Sequence, residues 1–135
     1  MNRLAMEFPS IAAALSIAPI EHRKVGIAFA CGVARNVPLQ DEAVNRWIAN
    51  GALSRLHVQS LVSDLDEIAW GIADQLGPAD KSYVAAFARA RAANSIWFAT
   101  GENPTDAADA IYEGLAALAS AGISPQALLE EVGLQ

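Results

Sequence analysis

At 135 residues, with no internal repeat or low-complexity tract, the chain has the length of one ordinary domain and can bury about two thirds of the surface its unfolded form exposes. Hydrophobic residues make up 53% and charged residues 18%, which excludes the low-hydropathy, high-charge class of disordered chains. The net charge of −6 is uneven: up to Ser63 there are six basic and four acidic residues, from Asp64 onward three basic and eleven acidic, so the second half is ill-suited to track phosphates and suited to a basic partner.

Cys31 is the only cysteine, so an internal disulfide is excluded, and its apolar helical surroundings predict a buried thiol. No apolar run approaches the ~20 residues a membrane span needs. Arg3 ahead of the apolar stretch 11–17 has the outline of a secretory signal, but Glu7, Pro9 and Ser10 interrupt it and no small-residue cleavage pattern follows. A cytoplasmic protein is the expectation.

Alanine fills about a fifth of the chain and no period-2 alternation is sustained, so every element is predicted helical. Ser10 caps a short helix that stops before Pro19. A second helix spans about 20–36 and is closed by Pro38. A third runs over about 41–50 with Gly51 as its C-terminal stop. The fourth and longest covers about 54–76 and ends at Gly77-Pro78. Asp80 caps a fifth that continues to Thr100. Asn103-Pro104, with Asp106 at the third helical position, starts a sixth that Gly122 stops, and Ser124-Pro125 opens a last short helix closed by Gly133.

Projected at 100° per residue, the second helix carries Ile20, Ile27, Cys31 and Ala34 on one side and Val25, Phe29 and Val33 nearly opposite, the pattern of a buried element. Its Gly26/Ala30 and Ala28/Gly32 pairs would let neighbours cross closely. The fold expected is therefore all-α: a single domain, residues 1–135, in which six to seven helices surround a buried central helix at about 20–36.

Three constellations bear on function. In the fourth predicted helix Val58, Leu61, Val62, Leu65, Ile68, Ala69, Ile72 and Leu76 form a core stripe, and the opposite face carries Ser63, Asp66, Glu67 and Asp74 around Trp70. That indole is either covered by another segment, such as the N-terminal helix, or exposed as a partner anchor. In the sixth, Glu102, Asp106, Asp109 and Glu113 fall at helical-neighbour spacing opposite Ala108, Ile111, Tyr112, Leu115 and Leu118. They read as a solvated acidic face, or as a landing surface for a basic protein. In the fifth, Arg91 and Asn94 project into the apolar face of Tyr83, Val84, Phe87, Ala90, Trp97 and Phe98. A guanidinium there calls for a carboxylate, with Glu21 or an acid of the fourth helix as candidates, or else for a polar pocket with an anionic ligand.

Signs of catalysis and metal binding are weak. His22 and His57 lie in different helices, no Ser-His-Asp order, phosphate-binding glycine loop or Cys/His cluster can be drawn, and Asp64, Asp66 and Glu67 lack a histidine at ligand spacing. Glu21 and His22, adjacent on a helix, point about 100° apart. No cofactor and no metal are expected. Arg23, Lys24, Arg35, Arg46 and Arg55 are spread over separate helices, which disfavours nucleic acid. Three tryptophans and abundant alanine leave self-association as a homo-oligomer open.

The segments KVGIAFACGVARNVP, DEAVNRWIANG and ARARAANSIWFATGENPTDAADAIYEGLAAL, in this order, cover somewhat more than half the chain. In pattern and composition they are similar to a loose group of bacterial all-helical proteins that includes uncharacterised domains and immunity proteins of polymorphic toxin systems. The resemblance implies a single-domain binding protein that blocks a toxin by occupying a basic surface, and it carries over no functional residue. The sequence thus favours a non-enzymatic acidic interaction module, immunity-like, using Asp66, Glu67, Trp70, Asp74, Glu102, Asp106, Asp109 and Glu113. The alternative is a small-ligand-binding or enzymatic helical domain built on an Arg91/Asn94 pocket.

Overall fold

The computed structural model describes residues 3–17 and 22–135, and all regular structure among them is helical. Eight helices follow one another: α1 (Arg3–Glu7), α2 (Pro9–Ser16), α3 (His22–Asn36), α4 (Glu42–Asn50), α5 (Arg55–Leu76), α6 (Lys81–Ala99), α7 (Asp106–Ser120) and α8 (Gln126–Glu131). One continuous hydrophobic core draws residues from all of them, from Leu4 in α1 to Leu128 and Leu129 in α8.

Local chemistry sets most of the ends. Asp41 accepts from the Val44 N–H at 3.0 Å to start α4, and Gly51, at φ 80°, closes it in the left-handed conformation that glycine adopts without strain. Ser54 and Asp80 cap α5 and α6 through the N–H groups of His57 and Ser82. The N-terminal segment departs from expectation. Ser10 is not a cap: Pro9, which lacks an N–H, occupies the first position of α2, and the chain breaks at Phe8 into two short helices. The expected roles of Pro19, Ile20 and Glu21 fall outside the described residues.

The short connections 77–80 and 100–105 fold α5, α6 and α7 into consecutive hairpins, with α6 packed between α5 and α7. α3 lies across α6 and α7, α1 packs on α2 and α7, and α8 rests on α3. The burial expected for α3 falls on Val25, Phe29, Ala30, Val33 and Ala34, while Ala28 and Arg35 reach solvent. α7 is enclosed further still by α3, α6 and α1, with Ala119 its one exposed residue.

Small residues allow that enclosure. A Cβ on Gly114 would stand 2.6 Å from the Phe29 ring and 2.9 Å from Val33, so α3 and α7 touch only because position 114 has no side chain. Gly26 faces the Ala107 backbone in the same contact, as the small-residue pairs of α3 predict. Between α6 and α7 the buried Ser95 hydroxyl donates to the Ala110 carbonyl at 2.7 Å.

Candidate functional site

The acidic stripe expected along α7 is the clearest correction. Glu113 is only 2% exposed and Asp106 8%, and neither faces water. Glu113 is gripped from two sides: Arg91 Nη1 donates to both its oxygens at 2.9 and 3.3 Å, and Arg3 Nη2 approaches it at 3.0 Å. Arg3 also lies 3.9 Å from Asp109, whose side chain is 22% exposed. Burial pushes the Asp109 carboxyl above its ordinary range, with Arg3 pulling down and Asp106 and Glu113 pushing further up. Asp106, the first residue of α7, accepts from the Asn103 N–H at 2.8 Å, so its carboxylate closes the turn that leads into the helix. Of the four acids, Glu102 alone is exposed.

The physical reason is α1. Its Arg3 reaches over α7, stacks at 4.5 Å on the Tyr112 ring and supplies the charge that lets a carboxylate be buried there. Tyr112 in turn bonds Glu7, and that carboxylate raises the phenol above its ordinary value, as do burial and the more distant Glu113 against Arg3. The ion pair predicted for Arg91 therefore exists with Glu113 of α7 as its partner; Asp66 of α5 lies nearby, and Glu21 is outside the described residues.

On α5 the stripe expected to be wholly core is only partly so. Val58, Leu65 and Ala69 are buried, but Ile68 is 51% and Leu76 60% exposed, because α5 packs chiefly on α6 and stands at the edge of the bundle. Its outer face presents Glu67 and Asp74 to solvent. Trp70, set between them, is 70% exposed; α1 packs on α7 and α2 on α1 and α3, which leaves it uncovered. Of the two roles considered for this indole, coverage is ruled out.

Trp70 stands at the mouth of a recess of about 170 Å³ between α5 and α6. Asp66, Arg91 and Asn94 supply its polar lining, and Tyr83 and Phe87 line it from α6, their ring centroids 5.8 Å apart and tilted by 38°. The Arg91 guanidinium lies 4.7 Å over the Phe87 ring. Asn94 donates to the Ala90 carbonyl at 2.9 Å and bonds the Asp66 carboxylate. Burial raises Asp66 above its ordinary value, Arg91 and Asn94 oppose this, and Glu113 adds to it. The structure thus brings Asp66 and Trp70 together with Arg91 and Asn94, two sets that the sequence linked only by offering an acid of the fourth helix as a candidate partner for Arg91. Tyr83 and Phe87 belong to the same site; their aromatic character on a predicted apolar face was visible, their place at its open edge was not.

Elsewhere, Asp41 and His57 form a pair at 3.0 Å that spans α4 and α5 and that no sequence spacing suggests. Burial would raise Asp41, but the Val44 N–H and the His57 side chain outweigh it and hold the carboxyl below its ordinary range. Arg55 donates to the Trp97 carbonyl and to the Thr100 hydroxyl and lies 3.5 Å over the Trp97 ring, which withdraws it from the basic N-terminal set. Arg46 pairs with Glu42 at 3.3 Å. Cys31 is partly buried, and burial raises its thiol against the pull of Arg35. Among the described residues no three His, Cys, Asp or Glu side chains converge as metal ligands would, and no helix is long and apolar enough to cross a membrane.

Comparison of the chain with family models, with curated proteins and with solved structures finds no match.

Proposed function

We propose that the chain is a non-enzymatic interaction module that docks a protein with a basic surface through the outer face of α5. The observation that carries this reading is Trp70, which is 70% exposed on an ordered helix with Glu67 and Asp74 outward beside it and the recess below. A large amphipathic ring at the surface is the type of residue that dominates binding energy in interfaces, and surrounding carboxylates speed encounter with a positive patch. The docking surface is smaller than the sequence suggested: Asp106 and Glu113 are spent inside the fold, so α5 carries it, with Glu102 outward at a separate place. The acidity of the chain and its resemblance to immunity proteins support a partner of the toxin class, inhibited by having a basic surface covered.

Affinity capture followed by titration calorimetry on the captured partner tests this. Trp70→Ala is expected to weaken binding by about 30-fold, the scale of an interface hot spot, and Glu67→Lys with Asp74→Lys to slow association in a salt-dependent way. An affinity unchanged by all three substitutions refutes the docking reading.

The second reading, a small-ligand-binding or enzymatic domain, is supported by one observation: Arg91 and Asn94 line a recess together. It requires Arg91→Met to abolish a response to some small ligand while the fold persists.

A further inference from the structure

We infer that the recess between α5 and α6 receives the guanidinium group of an arginine side chain from the docked partner, held by the Asp66 carboxylate and faced by the rings of Trp70 and Tyr83. This rests on the docking reading and names what the partner inserts.

Size comes first. A volume of about 170 Å³ is close to that of a cavity that admits one benzene-sized group, roughly 150 Å³, and so fits one side-chain head better than a metabolite. Charge then decides the sign. Arg91, the cation of the recess, is already engaged: its Nη1 serves both oxygens of Glu113 and its guanidinium carbon lies 4.7 Å from the centre of the Phe87 ring. Asp66 has no ion pair within 4.0 Å among the described residues; the Arg91 charge acts on it from farther away, and the neutral Asn94 amide is beside it. Arg3 and Arg91 stand against Asp66, Asp106, Asp109 and Glu113, two positive charges against four negative, and of these carboxylates Asp66 is the one that lines the recess.

An incoming anion would therefore meet a carboxylate and a neutralised guanidinium, whereas a cation gains an ion pair where burial already disfavours the bare carboxylate. The aromatic lining favours the same sign, since ring faces attract cations. Planarity favours guanidinium over ammonium: it stacks on rings and forks onto a carboxylate, which a compact ammonium cannot do. Arg91 over Phe87 is the same contact made within the chain, in the same recess.

The test uses the intact protein and N-acetyl-arginine amide, following the indole N–H resonance of Trp70, which Trp70→Phe identifies among the three tryptophans. A saturable shift is expected. N-acetyl-citrulline amide, equal in shape but uncharged, is expected to bind about tenfold more weakly, and Asp66→Asn to weaken the arginine probe by about tenfold, as loss of one charged hydrogen bond implies. Citrulline binding as tightly as arginine, or Asp66→Asn without effect, overturns the assignment; lysine amide binding as tightly overturns the preference for guanidinium. The lysine substitutions at Glu67 and Asp74 should leave this small probe within about twofold, since they flank the mouth outside the recess. If the probe fails while a captured partner still depends on Trp70, this inference falls alone; if the probe binds and the partner ignores Trp70, Glu67 and Asp74, the docking reading falls instead.

Discussion

Replacing Glu113 by glutamine should destabilise the fold by about 2 kcal/mol, a value set between two limits. Breaking a fully buried ion pair costs about 3–5 kcal/mol, because the remaining charge is stranded without water. An exposed pair is worth about 0.2–1 kcal/mol. Glu113 belongs to the first class, with 3% of its side chain exposed, but its partners do not: Arg91 is 36% and Arg3 46% exposed, so both can rehydrate once released. Glutamine keeps the shape and one acceptor, and what is lost is the charge shared by contacts at 2.9 and 3.0 Å. Urea unfolding followed by circular dichroism measures the difference, and a melting temperature lower by about 7 °C should accompany it for a chain of this size. Raising salt to about 1 M, where the screening length is about 3 Å, should leave most of the loss in place. A change below about 0.5 kcal/mol, or one that salt erases, would show that the carboxylate is solvated and that α7 does carry an outward acidic face.

Two further substitutions probe the scaffold. Gly114→Ala should cost about 1–3 kcal/mol by forcing α3 and α7 apart at Phe29 and Val33, and a variant that unfolds at the wild-type urea midpoint would contradict the close crossing. Asp41→Ala should cost about 1 kcal/mol through loss of the α4 cap, with a further loss from the His57 contact. Because the folded Asp41 carboxyl lies below its ordinary value of 3.8, its contribution is complete above that pH and fades as pH falls through the lowered value. The stability gap between wild type and Asp41→Ala should therefore close in acid, and a gap that widens there refutes the assignment.

What sequence could and could not reveal follows from the range of each interaction. Asp41, Ser54, Asp80 and Gly51 act on atoms two to four residues away, so their capping roles are visible in the chain itself. The position of Trp70 opposite the core stripe of α5 is likewise a matter of helical geometry alone. Glu113 is the contrary case. Its spacing with Asp106 and Asp109 is that of a solvated face, yet Arg3 and Arg91 arrive from helices far away in sequence, and hydropathy does not distinguish a carboxylate facing water from one facing two guanidinium groups. The same limit hid the recess: Tyr83 and Phe87 have the periodicity of core residues, and only the placement of α5 at the edge of the bundle opens the space beside them.

That edge position links the fold to its proposed use. Among the described residues Met6, Phe8, Ile17, Leu56, Ile68, Trp70, Leu76 and Val84 are the large apolar side chains left exposed, and four of these eight belong to α5. A helix with one main neighbour cannot bury a stripe as wide as the one it carries, and the excess stays at the surface where a partner can cover it. Electrostatics converges on the same helix. The carboxylates of α7 are matched by Arg3, Arg91 and the Asn103 backbone, so they stabilise the bundle and offer little to another protein. On α5, Asp66, Glu67 and Asp74 make no ion pair among the described residues. Apolar excess and unmatched negative charge on one ordered helix are together what a basic, arginine-bearing surface would need in order to dock.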